Sequence, residues 1–324
     1  MWNKCDLTVG ISVSLSGKYA SQGLQALQGA QLWAEGAGVP LVYYDDESRS
    51  QRSADNARRL LEQDRVSILF GPYSSGLARR VADVAEHYQR VMWNHGGSSD
   101  DVASRFVVST LAPASWYFRR LPAWLVRNAP GERSITVMYS RRGTFAKHVV
   151  RGLSEEAEAF GLSVEVLPFG DVASQTARVL VLAGSFEEEL DVIRSRPKAC
   201  FVGAVAAGVR AFAEALGPLA EGVIGPSQWE PSPETEWFFR SFQERFGDPP
   251  EYTAAGAYAT GLVVEECIRR AGEVDDRRLR EIATELDFET FFGWFRIDPP
   301  TGRQMGHAVL LVRWEGQQRV VLDA

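Results

Sequence analysis

The stretch "RVSILFGPYSSGLARRVADVAEH", residues 65–87, decides the fold of this 324-residue chain. Its apolar run "VSILFG" is typical of a short buried strand, and residues 75–90 carry apolar side chains at helical spacing. Tyr73, Ser74 and Ser75 therefore lie where a strand ends and a helix begins. Strands that alternate with helices in this way predict βαβ units and a parallel sheet with both faces covered.

The same alternation extends in both directions from this stretch. Around it the sequence predicts strands at 7–15, 39–48, 91–94 and 106–110, helices at 24–38 and 50–63, and loops at 16–23 ("SGKYASQG") and 95–101 ("HGGSSDD"). A second block of similar design begins with a helix at 115–129 and a strand at 134–140 and ends with a strand at 222–229. Three helices over 234–286 and a hairpin-like β ending over 293–322 follow. The prediction is an α/β protein with two doubly wound, Rossmann-like lobes.

The composition narrows the class of protein. A hydrophobic content of 45% with 24% charged residues is typical of a soluble globular protein. The net charge of −7 argues against nucleic acid or an anionic membrane as partner. The three cysteines have no zinc or disulfide spacing, and the paired acids predict turns and caps, so neither a metal nor a cofactor is expected. The first residues have no signal-peptide core, which leaves open a cytosolic chain or one whose leader was replaced by Met.

The serine loop at 73–75 has three possible roles. A phosphate loop is excluded because "GPYSSGLA" has no lysine, and the glycine spacing does not match a nucleophile elbow. A hydrolase that uses Ser74 or Ser75 stays a remote alternative. The N-terminus of the helix that follows favours a small anion, and a carboxylate fits it as well as a phosphate. The alternative is that Ser74 or Ser75 only caps this helix.

The other predicted loops offer groups that could face the same ligand. Gly97 lets a ligand approach the backbone, and Ser98 could donate to it or cap a helix. Parallel strands place their loops along one edge of the sheet, so these loops are expected to converge with the serine loop. In the second block, Phe145, Phe186 and Trp229 follow strands and suit an apolar pocket, although core packing explains them equally well.

The order of these features resembles the type I periplasmic binding proteins, and within them the branched-chain amino acid (Leu/Ile/Val)-binding proteins of ABC importers. The segments that carry the resemblance are "VGISVSLSGKYASQG", "LVYYDDESRSQRSADNARRLLEQDRVSILFGPYSSG", "EYTAAGAYATGLVVEECIRRAG" and "GWFRIDPPTGRQMGH". The resemblance implies one lobe from residues 1–115 and 231–305, and a second from 116–230 and 306–324, joined by three crossover strands. It also implies a ligand cleft between the lobes, no catalysis, an extracytoplasmic location and an importer permease as partner.

The resemblance also implies a set of ligand-binding residues. Ser75 matches the group that holds the ligand carboxylate, and Gly97 and Ser98 match the neighbouring loop. The predicted site comprises Gln22, Tyr73, Ser74, Ser75, Gly97 and Ser98 in the first lobe, and Phe145, Ser185, Phe186, Val205 and Trp229 in the second.

Several positions depart from the family pattern. Gln22 and Phe145 stand where tyrosines are common, and Val205 stands where some members have a glutamate for the ligand's ammonium group. Ser48 and Ser74 occupy the positions of a cysteine pair found in some members. The expected ligand is therefore an amino acid or a related small carboxylate. A ligand-sensing regulator or receptor domain of the same fold is the alternative function.

Overall fold

The computed structural model describes residues 7–170 and 177–323. The chain divides into two units: Met1–Ala112 with Pro231–Ala308 (unit 1), and Pro113–Glu230 with Val309–Ala324 (unit 2). The chain therefore crosses between the units three times, after residues 112, 230 and 308.

The first part of unit 1 is a parallel sheet with a helix after each of its first three strands. Its elements are β1 (Val9–Val13), α1 (Ala20–Ala37), β2 (Leu41–Asp45), α2 (Ser50–Glu62), β3 (Ile68–Phe70), α3 (Ser75–His87), β4 (Met92–Asn94) and β5 (Val107–Ser109). The strand order is β2-β1-β3-β4-β5, and each neighbouring pair is parallel. All five strands therefore end at the same edge of the sheet.

Unit 2 repeats this design with its own sheet. Its elements are α4 (Leu121–Asn128), β6 (Ser134–Tyr139), α5 (Phe145–Ala159), β7 (Ser163–Pro168), β8 (Val179–Ala183), α6 (Phe186–Arg194), β9 (Phe201–Ala204), α7 (Arg210–Leu216) and β10 (Ile224–Ser227). A short 3-10 turn, Val205–Gly208, follows β9.

The C-terminal part of the chain contributes to both units. Its elements are α8 (Glu236–Phe246), α9 (Tyr252–Ala271), α10 (Asp276–Glu285), β11 (Phe288–Thr290), β12 (Gly293–Phe295), β13 (Leu310–Glu315) and β14 (Gln318–Val321). The helices and the β11–β12 pair lie in unit 1. Strands β13 and β14 join unit 2, whose sheet has the order β14-β13-β10-β9-β8-β6-β7.

The sheet of unit 1 lies between two layers of helices. In unit 1, one core forms between the sheet and α1, α9 and α10, and the other between the sheet and α2 and α3. Helix α1 packs so closely on α9 that a Cβ atom at Gly29 would lie 2.1 Å from the carbonyl oxygen of Ala254. The helix ends at Gly38, whose φ of 68° a residue with a side chain rarely adopts.

The predicted α/β class with doubly wound sheets is confirmed, but three elements differ from expectation. Helix α1 begins at Ala20, so the predicted loop over 16–23 is shorter. The helix predicted over 115–129 is divided, and α4 begins at Leu121 with a proline in its first turn, where the missing N–H costs nothing. The predicted β ending over 293–322 is not one hairpin, since β12 pairs with β11 and β13 pairs with β10 and β14.

Candidate functional site

Three loops of unit 1 meet at the edge where β1, β3 and β4 end. The rings of Tyr19 and Tyr73 contact each other edge to face, with centroids 5.6 Å apart. A Cβ atom at Gly96 would lie 2.7 Å from the carbonyl oxygen of Pro72. The loop after β4 therefore rests on the backbone of the serine loop, whose Tyr73–Ser74 peptide bond is cis. The structure thus brings the three predicted loops together.

The serine loop leads into the N-terminus of α3. Ser74 precedes α3 but its hydroxyl makes no capping bond. The Oγ atom of Ser75 accepts a hydrogen bond of 2.9 Å from the backbone N–H of Ser99. Among the residues that the structure describes, none accepts from the backbone N–H groups of Ser75 and Gly76. Such N–H groups carry partial positive charge and attract anions.

Asn94 holds the loop that carries Gly97 and Ser98. Its side-chain amide donates to the carbonyl oxygen of Gly97 (2.7 Å) and to Oγ of Ser109 (2.9 Å), and its Oδ1 atom accepts from the N–H of Gly97 (2.9 Å). A Cβ atom at Gly97 would lie 2.4 Å from Cβ of Ala78, so the loop sits directly on α3. Ser98 follows in this ordered backbone and is buried.

A buried acid fixes the first loop. Asp46 accepts hydrogen bonds from the hydroxyl of Ser14 (2.5 Å) and the N–H of Ser48 (2.9 Å). Burial raises the pKa of Asp46 although these bonds oppose the change. The hydroxyl of Ser48 in turn donates to the carbonyl oxygen of Ser16 (2.7 Å) and accepts from the N–H of Tyr19 (3.0 Å). These bonds fix the loop that carries Tyr19.

Gln22 lies apart from these contacts. It sits on the first turn of α1 and is half-buried. Within residues 7–170 and 177–323 its side chain makes no hydrogen bond.

His95 is a buried titratable group beside the site. It follows β4 directly, and its ring lies 6.3 Å from the ring of Phe70. Burial lowers the pKa of His95 to about 4. The imidazole is therefore neutral at neutral pH, because the buried site stabilises the uncharged ring.

We expect His95 to make the protein less stable in acid. The unfolded chain binds a proton near pH 6.5 and the folded chain only near pH 4, so stability is lost as the pH falls through this interval. Between pH 7 and pH 5 the loss is about 2 kcal/mol. The measurement is the free energy of urea unfolding of the wild type and of His95→Gln at both pH values. The stability difference between the two proteins should change by this amount, and a constant difference would contradict the expectation.

Aromatic side chains occupy the strand-end edge of unit 2. Phe145 begins α5, is half-buried and meets the ring of Tyr117 edge to face at 5.4 Å. Phe186 begins α6 and packs against the core beneath it. Trp229 is buried, and its carbonyl oxygen accepts from the hydroxyl of Ser227 (2.9 Å). Phe145 and Phe186 are thus partly exposed at this edge, whereas Trp229 is buried.

Ser185 caps the helix that Phe186 begins. Its hydroxyl accepts from the N–H of Glu188, and the carboxylate of Glu188 accepts from the N–H of Ser185 at 2.9 Å. This reciprocal capping box satisfies two backbone donors.

Glu189 is a residue of this edge that the sequence analysis missed. It is fully buried, and its two carboxyl oxygens accept from the N–H groups of Gly184 and Ala206, each at 2.7 Å. Ala206 follows Val205, the half-buried position where an acid was expected in some relatives. Burial raises the pKa of Glu189 to about 8, against the effect of the backbone donors. The sequence signal that could have identified Glu189 is its place on the apolar face of a helix, three residues after Phe186.

Within residues 7–170 and 177–323, no cluster of three or more His, Cys, Asp or Glu side chains is arranged to hold a metal ion. None of the helices described there has the length and apolarity needed to cross a membrane.

Comparison with known proteins connects this fold to a family. The family described as "Periplasmic binding protein" matches residues 6–183 and 196–319. A leucine-, isoleucine-, valine-, threonine- and alanine-binding protein of Pseudomonas aeruginosa is 20% identical over 79% of this chain and 73% of its own length. A leucine-binding protein of Thermotoga maritima has a similar crystal structure, with a TM-score of 0.86 at 18% identity over 98% of each chain. An ABC-transporter solute-binding protein of Rhodopseudomonas palustris, in complex with 3,4-dihydroxybenzoic acid, gives 0.80 at 17% identity over 95% of this chain and 93% of its own.

Proposed function

Because the chain belongs to the periplasmic binding protein family, we propose that it is an extracytoplasmic solute-binding protein of an ABC importer. It binds a small carboxylate-bearing molecule and releases it unchanged to the importer's membrane permease. The observation that carries this proposal is the N-terminus of α3, where the N–H groups of Ser75 and Gly76 lie beside the loop that carries Ser98. No step of this function makes or breaks a covalent bond.

The site in unit 1 suits a carboxylate because its donors are fixed before the ligand arrives. Asn94 orders the loop of Gly97 and Ser98, and Ser75 links that loop to α3. Fixed donors reduce the cost of ordering the protein on binding. The positive end of the α3 dipole adds attraction for a negative group.

The apolar part of the ligand is assigned to unit 2. Phe145 and Phe186 are half-buried aromatic side chains at its strand-end edge, and Val205 adds an aliphatic one. Apolar walls with a few polar groups are typical of small-molecule sites. Closure of the two units on the ligand, as the family resemblance implies, removes it from water and strengthens its hydrogen bonds.

A ligand panel tests the proposal. Candidates are leucine and isoleucine, from the name of the Pseudomonas relative, and benzoate and 3,4-dihydroxybenzoate, from the Rhodopseudomonas complex. Benzamide serves as the uncharged control for benzoate. A ligand at 100 times its Kd stabilises the folded protein by about 2.7 kcal/mol, which a thermal-shift assay detects. The proposal fails if none of the carboxylates raises the Tm.

Ser75→Ala is expected to weaken the binding of the carboxylate identified in this way by about 10-fold or more. The substitution removes one hydroxyl from the anion site and the acceptor of the Ser99 N–H, and a hydrogen bond to a charged group contributes about 1.5–3 kcal/mol. Isothermal titration calorimetry gives the Kd. Ser50→Ala is the matched control, since Ser50 is exposed and also begins a helix of unit 1. Wild-type affinity in Ser75→Ala would contradict the assignment of this anchor.

A further inference from the structure

Side chains from three different elements hold the backbone of Val205–Gly208, which we call the β9 loop. The bonds are Ala206 N–H to Glu189 (2.7 Å), Trp314 Nε1 to the carbonyl oxygen of Ala207 (2.9 Å), and Arg319 Nη1 to the carbonyl oxygen of Gly208 (2.7 Å). Helix α6, strand β13 and strand β14 supply these side chains. Three consecutive residues of a short loop are therefore fixed individually.

The supports of the β9 loop are themselves held in place. Arg319 pairs with Glu230 at 2.9 Å, and both side chains are nearly buried, at 11% and 9% exposure. A Cβ atom at Gly208 would lie 2.1 Å from the carbonyl oxygen of Pro226, so the loop also packs directly on β10. The loop is thus built as a rigid part of unit 2.

Glu189 connects this loop to a second segment. One of its oxygens accepts from Ala206 in the β9 loop, and the other accepts from Gly184 at the end of β8. Gly184 leads directly into Ser185 and Phe186. One buried carboxyl therefore sets the spacing between the two segments that carry Phe186 and Val205.

We propose that Glu189 is a positioning residue of the ligand site: it fixes the β9 loop against the segment 184–186 and does not itself meet an ammonium group of the ligand. The inference rests on the proposed function. Both oxygens of Glu189 are taken by backbone N–H groups, and the residue has no exposed surface. Its raised pKa, about 8, agrees with this because a largely uncharged acid at neutral pH is a poor partner for a cation.

The test uses two probes that differ only in the amino group, leucine and 4-methylpentanoate, together with benzoate. Glu189→Gln keeps one acceptor and loses the other, and Glu189→Leu loses both. We expect the affinity to fall about 5-fold in Glu189→Gln and further in Glu189→Leu. In each variant the factor should be the same for leucine and for 4-methylpentanoate, which lacks the amino group. Glu187→Gln is the control, since Glu187 is an exposed acid on the same helix.

Amide hydrogen exchange provides the second readout. In Glu189→Gln, peptides that contain Gly184 and Ala206 should exchange faster than in the wild type, whether or not ligand is present. Unchanged exchange there would overturn the positioning role, and so would an affinity loss confined to leucine, which would assign the ammonium to Glu189. If the wild type binds none of the probes, the proposed function fails, and the exchange experiment still decides the role of Glu189.

Discussion

Between pH 6.5 and 8 the wild type is expected to lose about 2 kcal/mol of its free energy of unfolding, and Glu189→Gln is expected to abolish this pH dependence. The pKa of Glu189 is raised from 4.5 to about 8 by burial. The folded protein therefore keeps a proton that the unfolded chain has already released, and stability is lost as the pH rises through this interval. Over the full range between the two pKa values, 4.5 and about 8, the loss amounts to about 5 kcal/mol, a large part of the stability of an ordinary domain.

The experiment compares the pH dependence of the two proteins. Urea unfolding at pH 6.5, 7, 7.5 and 8 gives the free energy of unfolding of each, and their difference isolates Glu189. His95 affects stability only at the lower end of this range, and because both proteins contain His95 its effect cancels from their difference. Glu187→Gln, the exposed neighbour on α6, should leave the wild-type pH dependence unchanged. A difference that stays constant with pH would show that the Glu189 carboxyl is not held protonated in the folded protein.

The sequence predicted the fold because the signals for its elements are local. The apolar run and the serines of residues 65–87 placed a strand, a turn and a helix, and α3 begins at Ser75 as expected. The prediction of a hairpin-like ending over 293–322 was wrong because strand propensity does not determine which other strand a strand pairs with. Strand β12 pairs with a strand of unit 1, and β13 pairs with β10, which lies more than 80 residues away in the sequence.

The candidate site could be predicted only in part for a related reason. Loops such as that of Ser75 follow the ends of strands, which the sequence reveals. The supports of these loops depend on contacts between distant residues. Asp46 accepts from Ser14, 32 positions away, and Glu189 accepts from Ala206, 17 positions away. Position 205 has no acid, and the buried acid beside it, Glu189 of α6, accepts from the backbone N–H of Ala206, a contact between residues that the sequence does not show to be neighbours.

Gly96→Ala is expected to lower the free energy of unfolding by about 3 kcal/mol and ligand affinity by more than 10-fold. The added Cβ atom would lie 2.7 Å from the carbonyl oxygen of Pro72 and 2.8 Å from Cα of Tyr73. These are backbone atoms, which cannot rotate away as a side chain does. The two loops must therefore separate, and the hydrogen bond between Ser75 and Ser99 must lengthen with them. Urea unfolding and calorimetric titration measure the two effects.

Gly36→Ala is the matched control for this substitution. Gly36 lies on the exposed side of α1 in the same unit, and a Cβ atom there would meet nothing within 4 Å. Alanine at this position should stabilise the protein by about 0.5–1 kcal/mol, because glycine loses more backbone freedom in a helix. If Gly96→Ala behaves like Gly36→Ala, the close contact between the serine loop and the loop after β4 does not set the geometry of the site. If it destabilises the protein but binds normally, the contact stabilises unit 1 without positioning the carboxylate donors.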